Sequence, residues 1–181
     1  IHSIKAGLHY FGHDLKNEWY EIRNKYYNTN NDSIYVPEIF GDSSAYADVY
    51  SITPQELAFY VQDKMEFDDM VINVGLRYDQ FDPQSVYPSD RRNPANQLIL
   101  PDSMMSLYPN APVISQLSPR LGFAYQLGGQ AVLHFSYGHF FQMPPMYAMY
   151  QNNSFLVDPN NFVTRMGNTL LEPEKTITYE I

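Results

Sequence analysis

The clearest hydrophobic pattern in the chain is a pair of alternating runs between Gln116 and Gln142. In each run every second residue is apolar and the residues between are mostly polar or small; the apolar sets are Leu121, Phe123, Tyr125, Leu127 and Ala131, Leu133, Phe135, Tyr137. Because successive side chains on a strand point to opposite faces, each run predicts a strand with one apolar and one polar face. Gly128-Gly129 supplies the positive φ values of a two-residue turn, so the stretch predicts a β-hairpin.

Four other runs alternate in the same way. The predicted strands begin near His2, Gln55, Ile72 and Glu174; their apolar positions are Ile4, Ala6, Leu8, Tyr10, then Leu57, Phe59, Val61, Met65, then Ile72, Val74, Leu76, Tyr78, and finally Ile177, Tyr179, Ile181. Asp68-Asp69 predicts a tight turn between the second and third strands. Asp63 is the exception on an apolar face. If that face contacts lipid, a charge at mid-bilayer costs about 2 kcal/mol or more, so Asp63 is expected near the periplasmic interface of the membrane or beside a bulge.

Three long segments separate these strands. Asp14 to Pro54 is rich in Tyr, Asn, Asp and Ser and predicts a polar loop with strand-like extensions around Glu18 to Tyr26. Phe81 to Ser115 carries six prolines, which cannot donate to a sheet ladder and so predict a second loop. Met143 to Pro173 predicts a third loop with one helical turn from Met146 to Tyr150, because Pro144-Pro145 suits a helix start.

The connections therefore alternate between long and tight. Loops longer than about 15 residues are uncommon in compact domains, whereas a barrel in an outer membrane joins its strands by short turns on one side and long loops on the other. The pattern predicts an all-β fold: an antiparallel up-and-down meander of about six strands, forming a partial transmembrane β-barrel with long extracellular loops. Apolar side chains would face lipid, and the polar faces would face the lumen.

Composition narrows the function classes. The 181 residues carry a net charge of −9 without a Lys/Arg cluster, which argues against nucleic acid as a partner. Cysteine is absent, so thiolate metal sites and disulfides are excluded. No apolar run is long enough for a transmembrane helix. Both ends fall inside an alternating pattern, which predicts that residues 1–181 are a segment of a longer chain.

Several motifs resemble the barrel of TonB-dependent outer-membrane receptors, closest to the type found in Bacteroidetes-like bacteria. They are FYVQDKMEF with VINVGLRYDQFDP (Phe59 to Pro83), SPRLGFAY (Ser118 to Tyr125), HFSYGHFFQMPPMY (His134 to Tyr147) and NTLLEPEKTITYEI (Asn168 to Ile181). The motifs cover most of the predicted strands and stand in the family's order. The loops from Lys16 to Ser51 and from Asn93 to Val113 carry no such match.

The resemblance implies a barrel of about 22 strands with an N-terminal plug domain and a TonB-box segment, located in the outer membrane of a Gram-negative bacterium. It implies import of a scarce nutrient such as an iron chelate, cobalamin or an oligosaccharide. The implied partners are outer-membrane lipid, the plug domain, the TonB energy-transducing complex and the nutrient itself. Neither a plug nor a TonB box is recognisable in this chain, so we expect residues 1–181 to be part of the barrel domain alone, without a cofactor.

An aromatic and methionine cluster follows the second hairpin strand, at the predicted extracellular mouth. Two interpretations stay open: these side chains stack on a sugar or chelate, or they pack a short helix onto the rim. The cluster comprises Phe140, Phe141, Met143, Met146, Tyr147 and Tyr150. Arg77, Arg120 and His134 are predicted to face the lumen, where the two arginines would pair with acidic groups of the plug.

The sequence gives little support for a catalytic site or a metal site. No nucleophile or nucleotide-binding motif occurs, so an enzyme is not expected. His9 and His13 share a predicted face but lie about 13 Å apart, too far for one metal ion. Oxygen ligands for Ca²⁺ are present in the first loop, but their spacing matches no known calcium loop; they are Asp14, Asn30, Asn31, Asp32, Asp42 and Asp48.

Two other function classes remain open from the residues alone. A soluble secreted β-rich module would use exposed tyrosines to bind carbohydrate, but it would bury its apolar faces against a second sheet. A passive porin-like channel would share the barrel pattern and differ by having no plug. The alternation of long and tight connections and the parity of the apolar positions favour a membrane receptor over the soluble module.

Overall fold

The computed structural model describes residues 1–26, 29, 34–96, 101, 103–157 and 164–181. Its main element is a six-stranded antiparallel sheet whose strands lie in chain order. The sheet consists of β1 (His2–Gly12), β6 (Gln55–Glu66), β7 (Met70–Asp82), β8 (Ile114–Leu127), β9 (Ala131–Gln142) and β10 (Glu174–Glu180). The predicted up-and-down meander, which corresponds to a partial β-barrel, is therefore confirmed.

The two ends of this sheet differ in their connections. Asp68 and Asp69 form a two-residue turn closed by a hydrogen bond of 2.8 Å from the Phe67 N–H to the Met70 carbonyl. Gly128 and Gly129 have φ values of 57° and 82°, and Gln130 completes a three-residue connection because Leu127 pairs with Ala131. All the long connections leave the opposite end of the sheet.

The first long connection is more regular than the sequence predicts. It continues the β1–β6 pair into a protruding arm, in which β2 (Leu15–Tyr20) pairs with β5 (Ala47–Ile52) and β3 (Ile22–Asn24) pairs with β4 (Pro37–Ile39). The predicted extension around Glu18 to Tyr26 is one side of this arm. Its returning side escaped prediction because the two strands pair across about 30 residues of polar sequence, and such a pairing leaves no local signal.

Register places the alternating residues of all six strands on two consistent faces. The apolar face carries the predicted apolar positions, and cross-strand neighbours match: Ala6, Val61 and Leu76 form one row, and Leu8, Phe59 and Tyr78 form the next. These side chains are not covered by another layer, and Leu8 is 72% exposed. A large apolar face that no other layer covers is typical of a surface that contacts lipid or another protein.

Asp63 interrupts the apolar face three residues from the end of β6. Its carboxylate lies 2.7 Å from Nδ1 of His2. The charge therefore sits near the tight-turn end and has a polar partner, in agreement with the expectation that it avoids the middle of the apolar band.

The largest buried side chains gather at the loop end of the sheet, among the long connections and the strand ends next to them. We call this the loop core: Ile52, Phe81, Met149 and Tyr150. Leu15, Tyr50, Met143, Met146 and Leu171 pack around it. Residues of the arm, of the last long connection and of the end of β7 thus share one small core. In the part of the chain that the structure describes, no helix is both long and apolar enough to cross a membrane.

Candidate functional site

The short helix α1 (Met146–Tyr150) lies at the loop end of the sheet, with the bounds predicted from the sequence. Within it, neighbouring aromatic residues have opposite environments. Tyr150 is fully buried in the loop core, whereas Tyr147 is 67% exposed. Tyr150 therefore packs the helix onto the rim, whereas the side chain of Tyr147 is left uncovered.

Tyr150 also links the third long connection to the start of the second. Its hydroxyl donates a hydrogen bond of 2.9 Å to the carbonyl of Pro83. Burial raises the pKa of Tyr150 above its ordinary value, with the nearby Asp82 and Tyr50 acting in the same direction. The phenol therefore keeps its proton, and its role as donor, throughout the physiological pH range.

Asp48 connects the arm to the same helix region. Its Oδ1 accepts a hydrogen bond of 2.9 Å from the backbone N–H of Asn152. Burial raises the pKa of Asp48, and the Asn152 N–H opposes that rise. Thr169 adds a third link, because its hydroxyl donates to the Val86 carbonyl at 3.1 Å. The three long connections are thus joined into one assembly over the end of the sheet.

A recess of about 270 Å³ lies below this assembly. Phe141 and Met143 of the predicted cluster line it together with Phe11, His9 and the Arg77–Asp79 pair. Aromatic and thioether surface thus meets charged groups in one depression. Such a combination suits a ligand that has both an apolar body and polar substituents.

The polar face of the sheet consists of the residues that alternate with the apolar face. Arg77, Arg120 and His134 all belong to it; Arg77 and Arg120 line the same shallow groove, and His134 lies apart from them. Arg77 is bound to Asp79, with Nε 2.8 Å from Oδ1. Arg120 instead lies with its guanidinium carbon 4.9 Å from the centre of the Phe140 ring. His134 pairs with Ala124 near the tight-turn end and is exposed.

The candidate calcium ligands that the structure describes each have a separate partner. Asp14 Oδ2 lies 3.2 Å from Lys16 Nζ. Asp42 accepts a hydrogen bond from the Tyr20 hydroxyl, and Asp48 accepts one from the backbone N–H of Asn152. Asn30, Asn31 and Asp32 lie outside the described residues. Among the residues that are described, no group of three His, Cys, Asp or Glu side chains is placed to hold a metal ion.

Two site features escaped the sequence analysis. Asp48 and Asn152 meet across 104 positions, and no local pattern distinguishes this aspartate from others in the polar loop. The contact of Arg120 with Phe140 had a weak signal, because both positions share the parity of the polar face. That they are adjacent follows only from the register of β8 and β9, which pairs Arg120 with Gly138.

Comparison with known proteins adds a family assignment to this geometry. The family model described as TonB dependent receptor-like, beta-barrel matches residues 3–181. Neither the curated proteins nor the solved structures include a significant match to the chain.

Proposed function

The chain belongs to the TonB dependent receptor-like β-barrel family, a family of outer-membrane receptors and transporters rather than enzymes, and on that premise we propose that its parent protein imports a scarce nutrient. In this proposal residues 1–181 form part of the barrel domain. A plug domain and a TonB-contacting segment of the parent protein complete the transporter. The nutrient is an iron chelate, cobalamin or an oligosaccharide.

The observation that carries this proposal is the contrast between the two faces of the sheet. One face presents uncovered apolar side chains, which suits lipid, and the other presents Arg, Lys, Asn, Gln and Ser, which suits a wet lumen. Family membership alone would leave the orientation open. The alternation supports a wall with lipid outside and the polar face directed at the transport path.

The assembly of long connections supplies the proposed contact surface for the nutrient. Tyr147 is exposed on it, while Phe141 and Met143 line the recess below, and Phe140 lies beside Arg120. An aromatic ring can stack on a sugar or on the planar part of a chelate. Tyr150 contributes indirectly, since its buried ring holds the helix that presents Tyr147.

The test is energised uptake by cells that produce the full-length receptor, with iron chelates, cobalamin and oligosaccharides offered separately. We expect accumulation of one class, dependent on the TonB complex. Uptake that persists without TonB would favour a passive channel and contradict the proposal. A receptor recovered in the soluble fraction would favour the secreted binding module.

Tyr147→Ala tests the contact surface within the same assay. We expect it to raise the half-saturating nutrient concentration by about tenfold, which corresponds to roughly 1.4 kcal/mol and lies within the range of a lost stacking contact. Tyr35→Ala is the matched control, because Tyr35 is 69% exposed but lies at the tip of the arm, between β3 and β4, and does not line the recess. Equal behaviour of the two variants would remove Tyr147 from the ligand site.

A further inference from the structure

The charged side chains on the polar face fall into two groups. Most of them are neutralised within the wall: Lys64 Nζ lies 2.5 Å from Glu66, and Arg77 lies 2.8 Å from Asp79. The Glu56 carboxylate has a hydrogen-bond partner in the ring of His13, at 3.0 Å. In each case the partner lies on the same strand or on the connection next to it, so the sheet and its connections supply the partner themselves.

Arg120 is different. Within the part of the chain that the structure describes, its guanidinium has no carboxylate partner and donates no hydrogen bond; its contact is the ring of Phe140. The strand that carries it, β8, is interior to the sheet and has β7 on one side and β9 on the other. The residues on both strands next to Arg120 are therefore present in the structure. The lack of a carboxylate partner for Arg120 does not arise from its lying on an edge strand.

The positions next to Arg120 on β7, β8 and β9 carry no negative charge. Gly75 and Gly138 stand directly opposite Arg120, and Arg77 is the charged residue among its diagonal neighbours. The neutral neighbours are Asn73, Ser118, Gly122, Ser136 and Phe140. Glu180 stands on the same face two strands away, opposite Ser136, and no ion pair joins it to Arg120 among the described residues. The space in front of this face is therefore open to an anion that could neutralise Arg120.

The shape of the wall leaves room for such an anion. Gly75, Gly122 and Gly138 leave the face around Arg120 without bulky side chains, and all three line a depression of about 320 Å³ with it. On the other side of Gly75, Arg120 shares a shallow groove of about 350 Å³ with Lys5, Tyr60 and Arg77. Lys5 also makes no ion pair among the described residues, and it lies in the same cross-strand row as Arg120 through Gln62 and Gly75. Phe140 restricts the guanidinium on its other side through a cation–π contact.

We propose that Arg120, held by Phe140 and assisted by Lys5, forms an anion-binding site on the inner wall, specific for carboxylate or phosphate groups. This inference rests on the proposed function, because it takes the polar face to be the wall of the transport path. The planar guanidinium binds either oxyanion through two parallel hydrogen bonds. The anion comes either from a solute in transit or from an acidic side chain of another segment of the parent protein that occupies the lumen.

The experiment compares Arg120→Gln with Lys64→Gln in the full-length receptor. Both substitutions remove one positive charge from the polar face, but Lys64 has Glu66 as a partner and Arg120 has none. Arg120→Lys is the conservative variant. Folding of each protein is checked first by the heat-dependent shift of the barrel on gels, and two quantities are then measured: citrate binding to the purified receptor at low salt, and entry of vancomycin into producing cells.

If the anion is a solute, the unaltered receptor binds citrate. Arg120→Gln then weakens that binding by about tenfold, as expected for a lost charge-assisted pair. Arg120→Lys retains most of the binding, and Lys64→Gln stays within about twofold of the unaltered receptor.

If the anion belongs to the parent protein, the unaltered receptor does not bind citrate, because the site is occupied. Arg120→Gln then loosens the lumenal segment and raises vancomycin entry above that of Lys64→Gln. Indistinguishable behaviour of Arg120→Gln and Lys64→Gln in both measurements overturns the anion site. Failure of the transport proposal would show itself separately, as an absence of TonB-dependent uptake by the unaltered receptor.

Discussion

The two ends of the six-stranded sheet are built on different principles. At one end, turns of two and three residues close the hairpins and bury almost nothing. At the other end, three long connections fold over the strands and bury Phe81, Met149 and Tyr150 almost completely. The conventional hydrophobic core of this chain thus lies among its loops rather than between its strands.

This difference in burial indicates that the loops are surrounded by water and the apolar face of the sheet by an apolar medium. A loop assembly surrounded by water must bury its own apolar side chains to hold a shape. The strands keep their apolar side chains uncovered, which is stable only where the surroundings are themselves apolar. The loop core is therefore stabilised by burial within the protein, and the apolar face by contact with an apolar surrounding. Substitutions in the two regions can separate these two contributions to stability.

The largest effect is expected from Tyr150→Ala, which empties the centre of the loop core. Truncation of a buried aromatic side chain costs about 3–5 kcal/mol, and here the loss falls on the loop assembly alone. Hydrogen exchange of residues 83–96 and 143–157 in the full-length receptor should rise strongly, while the strands keep their protection. Tyr147→Ala, on the exposed side of the same helix, should change exchange little. Equal exposure of strands and loops would show that the two regions are not independent.

The converse experiment places a charge on the apolar face. Leu76 lies in the middle of β7, next to Val61, and Leu76→Arg should destabilise the barrel in lipid by about 2–4 kcal/mol. Asn73→Arg introduces the same side chain on the polar face of the same strand and should cost close to nothing. Urea unfolding of the full-length receptor in vesicles measures both. Similar midpoints for the two variants would contradict the assignment of the faces.

The same contrast explains how much could be predicted from sequence. The six strands, their faces and the Asp68-Asp69 turn follow from a period of two, a local property that survives without knowledge of the fold. The helix from Met146 to Tyr150 follows from the prolines before it. The burial of Tyr150, the returning strand of the arm and the Asp48–Asn152 bond could not be predicted, because each depends on residues brought together from distant connections.

Some properties of the candidate site residues could likewise be predicted from the sequence, and others could not. That Arg77, Arg120 and His134 share a face follows from parity alone. That Arg77 has a carboxylate partner was visible in principle, since Asp79 is two residues along the same face. That Arg120 has none could not be read from its own strand, because the answer depends on which residues of β7 and β9 stand opposite it.

A smaller effect is expected at the tight-turn end. Gly129 adopts φ +82°, where an L-residue is strained, so Gly129→Ala should cost about 1–2 kcal/mol and slow hairpin formation. Gly41→Ala in the long first connection is the control, since a Cβ there meets nothing within 4 Å and its φ is not in the left-handed region. Refolding rates of the full-length receptor into vesicles give the comparison. A Gly129 variant that folds as fast as the Gly41 variant would show that the turn does not limit assembly.

The smallest effect concerns the pH dependence of the loop assembly. Burial raises the pKa of Asp48 above its ordinary value, so the folded assembly holds this proton more tightly than the unfolded chain does. The contribution of Asp48 to stability is therefore greatest below the ordinary aspartate pKa and declines as pH rises through the raised value. Asp48→Asn keeps an oxygen to accept the Asn152 N–H but has no charge to desolvate. We expect the variant to be slightly more protected at neutral pH, with a flatter dependence on pH.

Hydrogen exchange of residues 143–157, corrected for the intrinsic effect of pH, measures this slope. Asp42→Asn is the matched control, because Asp42 is exposed on the same connection and accepts from the Tyr20 hydroxyl rather than from α1's neighbourhood. If Asp48→Asn and Asp42→Asn show the same slope as the unaltered protein, Asp48 does not sense its burial in the assembly. If only Asp48→Asn flattens it, the buried Asp48 carboxyl is the group whose titration gives the loop assembly its pH dependence.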